Sequence, residues 1–297
     1  MSIKIAVEVS GKSFLPEAHV YKKRFLSLGF KCDIVPKDDY TPDSYDAVVL
    51  FHGFHPFWKK YPRFIIGEYH SLSVGRFSRV KDLIKRILNV KADFLVFLNK
   101  EVRDLMWFSE SDNHVFRGMG FYPSARKSKN FQSREFDVVY CGSERAGVVR
   151  EVEKLARLGL KIAVVGFYSD REIKNVKFFG RLSSKDAGDV VNNSRFGLNY
   201  TPDVFPLNIQ DSTKVIEYCG AGIGVITNRY YWVNEFERRW NGKFISLDSI
   251  AHSSDIFDYE YVVPDVSELE WDVVVDSMFE KISAKLAPSD NRFSKNF

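Results

Sequence analysis

The densest chemistry in this chain lies in residues 208–227, which read NIQDSTKVIEYCGAGIGVIT. Ser212 or Thr213 is placed to cap a new helix. The free amides and positive dipole end of such a helix can hold a diphosphate. Lys214 adds a flexible point charge beside them. Glu217 falls four residues after Thr213, on the same helical face. A carboxylate there could accept hydrogen bonds from two neighbouring hydroxyls, as a ribose presents. Gly220, Gly222 and Gly224 follow the helix rather than open one, so they are a helix stop and not a dinucleotide fingerprint. A capped helix with a Lys–Glu surface pair is the plainer alternative.

The other reactive side chains sit in the N-terminal half. His52, His55 and His70 each follow a strand-like run, where ligands of parallel sheets bind. Glu17 and His19 begin the first helix-like segment, and either could orient an acceptor hydroxyl, or take its proton in an inverting reaction. The alternative for that pair is a capped surface helix, and Glu68 has similar standing. Asp38 and Asp39 read as a solvated turn. Cys32, Cys141 and Cys219 are too far apart for a zinc ligand set or a disulfide framework, which fits a reducing compartment. No metal is expected.

These residues need elements to position them. Short, mostly continuous apolar runs at 3–9, 31–35, 47–51, 64–67, 94–98 and 114–116 read as strands buried on both faces of a parallel sheet. Helix-like segments lie between them near 17–28, 76–88 and 101–108. A polar run, SARKSKNFQSR, reads as a linker over 124–134. A second series follows, with strands at 136–141, 161–165, 176–179, 196–200, 225–227 and 244–246. Its helices are expected near 148–158, 185–193, 213–218, 232–239 and 272–285. Strand–helix alternation of this kind builds βαβ units. The expected fold is therefore α/β: two Rossmann-like domains, 1–124 and 125–297, facing a cleft. The final helix is a candidate to pack back on the first domain.

The 297 residues are 45% hydrophobic and 15% aromatic, enough for packed cores and against disorder. No run of 18 apolar residues occurs, and the chain opens on a strand-like stretch rather than a signal-peptide layout. Net charge is +5 over residues 1–124 and −1 over 125–297. The basic residues are not interleaved with aromatics on a recognisable module, so no nucleic-acid partner is expected. The segment 75–88, GRFSRVKDLIKRIL, is basic and amphipathic, and is a candidate for peripheral contact with anionic lipid.

The run STKVIEYCGAGIGVIT resembles the donor-site helix of GT-B glycosyltransferases, especially the group-1 (family 4) enzymes. VKFFGRLS at 176–183 is similar to that family's strand–Gly–x–Leu–Ser segment, with NSRFGL at 193–198 following it. DVVYCG at 137–142 resembles the first strand of the donor domain. Ser10-Gly11 ahead of a helix resembles the family's glycine-rich loop, and FIIGEYHS at 64–71 its strand-then-His segment. The resemblance implies that Glu217 holds the nucleotide ribose, with Ser212, Thr213 and Lys214 at the phosphates. Gly142 and Arg145 complete the implied donor set, and Asp211, Gln210 or Asn208 is the candidate to substitute for a family glutamate that is missing here. Gly11, Glu17, His19 and His52 are the acceptor-side candidates. His70, Glu17, Arg145 and Lys214 are the catalytic candidates. Two departures stand out. Ile209 occupies the place of a glutamate eight positions before Glu217, and Ala146 the place of a lysine after Arg145.

The expected activity is transfer of a sugar from a UDP- or GDP-sugar to a glycan or lipid-linked acceptor. The resemblance implies retention of anomeric configuration, no metal and no cofactor, the nucleotide-sugar being a substrate. A cytoplasmic protein, at the inner face of a membrane, is the expected setting. The alternatives are a nucleotide-sugar epimerase of the same fold and a non-catalytic relative, for which Ile209 and Ala146 are the kind of loss to look for.

Overall fold

The computed structural model describes residues 2–10, 15–51, 53–106, 113–123 and 131–286. The chain divides into two units. One runs to Gly118 and takes up the chain again from Trp271, and the other is Met119–Glu270. The dividing point therefore lies at 118/119 rather than at 124/125, and the last helix belongs with the first unit.

The first unit carries β1 (Lys4–Val9), α1 (Pro16–Ser27), β2 (Lys31–Pro36), β3 (Ala47–Phe51), β4 (Phe64–Tyr69), α2 (Ser78–Leu88), β5 (Phe94–Phe97), α3 (Lys100–Met106) and β6 (His114–Phe116). Its strands form one parallel sheet in the order β2-β1-β3-β4-β5-β6. The continuous apolar runs are its buried centre: every residue of β3 and β5 is buried. Pro16 pre-sets the first turn of α1. The helix buries Glu17, Ala18, Val20, Tyr21 and Phe25, one face of its 3.6-residue period. Helix α9 (Trp271–Leu286) closes that side, with the Phe279 ring edge-on to Phe25 at 4.6 Å and to Tyr21 at 5.6 Å. Burying each phenylalanine contributes about 2 kcal/mol.

The second unit carries β7 (Phe136–Cys141), α4 (Val148–Arg157), β8 (Ile162–Val165), β9 (Val176–Gly180), α5 (Ser184–Asn192), β10 (Ser194–Asn199), α6 (Thr213–Gly220), β11 (Gly224–Thr227), α7 (Tyr231–Trp240), β12 (Ile245–Ser246) and α8 (Ser253–Phe257). Its sheet is also parallel, in the order β12-β11-β10-β7-β8-β9. Side chains alternate across it. Val138 and Tyr140 join a core with Val148, Val152 and Leu155 of α4, while Val139 joins the opposite core with Val215 and Ile216 of α6. Both faces are thus covered, as an all-parallel sheet requires. The strand order reverses between β7 and β10, and the crevice beyond their carboxyl ends is where such sheets bind ligands.

Candidate functional site

The loops at that reversal hold most of the expected donor set. Strand β7 runs into Gly142, whose φ of 155° suits glycine. A Cβ there would meet the Lys214 Nζ at 3.4 Å, so the lysine head lies against the turn after β7. Behind it, Gly166 has φ 118°, and a Cβ on it would fall 2.2 Å from the Gly142 carbonyl oxygen. Only glycine tolerates both conditions. Gly166→Ala is therefore expected to destabilise the protein by about 3 kcal/mol, through backbone strain plus overpacking. Gly159→Ala is the control, because Gly159 shares a positive φ of 87° but has nothing within 4 Å. Thermal unfolding of the two variants measures the difference, and equal losses would refute the close approach.

Helix α6 begins beside this turn. Ser212 occupies the position before its first residue, yet no side chain caps the helix start. The Ser212 hydroxyl instead donates to Asn199 Oδ1 at 3.0 Å. Asn199 Nδ2 in turn donates to Thr227 Oγ1 at 2.9 Å and to the Tyr230 hydroxyl at 3.1 Å. This buried network at the ends of β10 and β11 is satisfied internally, and it leaves the α6 amides without a side-chain cap.

Lys214 is buried, one residue into the helix. Among the described residues no carboxylate forms an ion pair with it. Its ammonium sits 5.5 Å from the Tyr140 ring centroid. Burial pushes its pKa down to about 8, Arg145 pushes it further in that direction, and Glu217 and Cys141 pull back. Arg145 donates from Nη1 to Thr201 Oγ1 at 3.0 Å. Two cations within electrostatic reach of each other, beside an uncapped helix start, make a cradle for an anion.

Glu217 stands one turn into α6. The atoms packed around its carboxyl push its pKa up to about 7, with Lys214 opposing. The side chain nevertheless remains exposed by surface area. A carboxylate in reach of water stays hydrated, so the upward push is weaker than a sealed pocket would exert. Two expected donor residues are engaged elsewhere. Asp211 accepts from the Met119 amide at 3.1 Å and from Trp232 Nε1 at 3.0 Å. Asn208 donates to Asp203 at 3.0 Å. Thr213 opens the helix as expected.

In the first unit a buried cluster gathers three residues singled out in the sequence, Glu17, Glu68 and His70, with Arg117. Glu17, Glu68 and Arg117 are almost fully buried, while the His70 side chain keeps 19% of its surface. Glu68 contacts both Arg117 and His70. Arg117 Nη2 lies 2.7 Å from His70 Nε2 and 4.0 Å from Glu17 Oε1. His70 Nδ1 lies 4.0 Å from Glu17 Oε1. Burial alone would raise the Glu68 pKa, but Arg117 and His70 outweigh it and hold the carboxyl at about 2. His70 is the member of the cluster that reaches solvent, held at Nε2 between a carboxylate and a guanidinium. His19, two residues beyond Glu17 on α1, is exposed instead. Gly11 and His52 lie outside the described residues. Arg117 escaped the sequence reading; its one signal is its place directly after the strand run HVF.

Two doubly wound parallel units define the class: the chain has the GT-B type of double-Rossmann fold. No protein-family model matches the sequence, and no curated protein matches it. Solved structures match in fold. The Anabaena protein HepE in complex with UDP-glucose superimposes with a TM-score of 0.63 at 10% identity, covering 95% of this chain and 100% of that one. UDP-N-acetylglucosamine 2-epimerase from Rickettsia bellii gives 0.51 at 11% identity, covering 96% and 97%. At such identities the likeness is one of fold. Among the described residues no helix is long and apolar enough to cross a membrane.

Proposed function

We propose that the second unit binds a nucleotide-sugar through its diphosphate and that the protein transfers the sugar to an acceptor hydroxyl. The observation that carries this reading is Lys214, a buried cation without an ionic partner among the described residues, set beside Arg145 and the uncapped start of α6. In this reading Lys214, Arg145 and the α6 amides take the diphosphate, and Glu217 accepts hydrogen bonds from the ribose. The same cations stabilise the nucleoside diphosphate as its bond to the anomeric carbon breaks. His70, the member of its cluster that reaches solvent, orients the acceptor and receives its proton, with Glu17 buried behind it. The resemblance to family 4 favours retention of configuration, and the acceptor class is a glycan or a lipid-linked sugar. The likeness of fold to a protein holding UDP-glucose supports UDP as the first nucleotide to test.

The test is titration calorimetry with UDP, GDP, CMP and dTDP, followed by product analysis with the corresponding sugars. UDP or GDP should bind, and Glu217→Ala should weaken that binding by about tenfold, the loss of two charge-assisted hydrogen bonds at an exposed carboxylate. An unchanged affinity in that variant would remove Glu217 from the ribose. No binding of any of the four would end the reading.

The buried Glu17–Glu68–His70–Arg117 cluster favours one second reading, epimerisation of the nucleotide-sugar, since it gathers acid and base groups in one place. Interconversion of two sugar nucleotides without an acceptor would select it. Hydrolysis or transfer would select the first.

A further inference from the structure

Helix α2 turns the wrong way for a core element. Two of its polar side chains face the protein: Asp82 accepts from the Ser73 amide at 3.1 and 3.3 Å, and Lys85 donates to the Ser73 hydroxyl at 2.8 Å. Its apolar residues Val80, Leu83, Ile84 and Ile87 are exposed, and no residue of the helix is buried. Their spacing of i, i+3, i+4 and i+7 makes one continuous stripe about a third of the circumference wide. On the same wheel Arg79 and Arg86 flank one side of the stripe and Lys81 the other, all three exposed.

Two exposed aromatics lie beside the helix end. Phe57 and Trp58 are 59% and 61% exposed. The Phe57 amide donates to the Leu88 carbonyl at 2.8 Å, and the Asn89 side chain bonds both the Gly53 carbonyl and the His55 amide. The aromatic loop is thus tied to the carboxyl end of α2 by a main-chain hydrogen bond and by the Asn89 side chain. Asp82 is the sole acidic residue between 71 and 92, and it is turned inward.

We propose that α2 and the 54–58 loop form a docking surface for an anionic lipid bilayer. The apolar stripe and the aromatic tips enter the interfacial zone, while the flanking arginines and lysine meet lipid phosphates. A second copy of the chain fits less well, because a two-fold pairing of this face would bring like cations together. The proposal is independent of the donor site, which lies in the other unit's sheet.

The test is co-sedimentation of the full chain with vesicles of phosphatidylcholine alone or with one-third phosphatidylglycerol. Partition should favour the anionic vesicles by about tenfold or more in 0.1 M salt and fall about tenfold by 0.5 M salt. Brominated lipid should quench emission in the wild type and less so in Trp58→Phe. The double variant Ile84→Glu, Ile87→Glu should stay folded by circular dichroism, keep any nucleotide affinity the wild type shows, and lose sedimentation. Equal binding to neutral vesicles, no binding to either, or full binding by the double variant would overturn the proposal. So would a solution dimer that the double variant dissociates, which would make this face a contact between copies.

Discussion

Replacing Lys214 with Met should abolish measurable nucleotide binding and, on a donor that is turned over, lower the rate by about 10²–10³. The same variant should be more stable than the wild type near neutral pH. In the folded protein burial and Arg145 disfavour the Lys214 ammonium, which has no ionic partner among the described residues. Its folded pKa of about 8 lies below the ordinary lysine value of 10.5. Between those two values the unfolded chain holds more protons, so stability rises with pH across that window, and below it the destabilisation is complete. Methionine keeps most of the buried stem and removes the charge. A gain in melting temperature at pH 7 together with lost binding separates a ligand-binding role from misfolding. A fall in both would sink the assignment.

The pH dependence of affinity follows from the same group. A bound diphosphate favours the charged lysine and lifts its pKa. Binding above pH 8 must then draw a proton from solution, and the dissociation constant should rise by up to about tenfold per pH unit until the bound-state pKa is reached. Calorimetry in two buffers of different ionisation enthalpy would count that proton directly. A dissociation constant that stays level from pH 7 to 9.5 would exclude Lys214 from the anion. The buried Lys214 cation is thus a stored destabilisation that ligand relieves, a common arrangement where a site is built for charge.

That site was partly legible in the sequence. Among the described residues the strands lie within about two residues of the apolar runs that foretold them, because parallel strands buried on both faces cannot hide their composition. The uncapped helix start was half visible: Ser212 is at the expected position, but its hydroxyl goes to Asn199, an acceptor thirteen residues earlier. Long-range polar pairings of this kind leave no periodic trace. Glu17 is the clearer case. In the sequence it follows Pro16 at a helix start, where an acidic side chain is ordinarily solvated. Its burial depends on Arg117, a hundred residues away, and nothing local announces that partner. The α8 helix went unseen because five residues hold too few turns for a period. The return of the chain to the first unit at Trp271 follows a segment of ordinary composition, so only the apolar face of α9 hinted at it.

Removing that distant partner should produce the largest loss of stability in the molecule. Arg117→Met leaves Glu68 and Glu17 buried with no guanidinium beside them, and breaking such a buried pair costs about 3–5 kcal/mol. Arg117 also lies over the Tyr21 and Trp271 rings, at 5.8 and 5.2 Å, so its loss loosens α1 and α9 together. Adding Glu68→Gln to Arg117→Met should recover part of the loss, because the uncompensated charge then disappears while the shape remains. Urea unfolding of the two single variants and the double variant measures the coupling. Strict additivity would mean that the pair does not act as one. The acid limb offers a second reading of the same contact. Glu68 has a folded pKa of about 2 against an ordinary 4.5. Between these values the unfolded chain binds the extra proton, so the stability Glu68 confers is present above pH 4.5 and fades as pH falls toward 2. Glu68→Gln should therefore be less stable than the wild type at pH 7 and flatter in its response between pH 4.5 and 2. A variant whose acid limb overlays that of the wild type would show that Arg117 is balanced by some other group, and that His70 is not held in place by this pair.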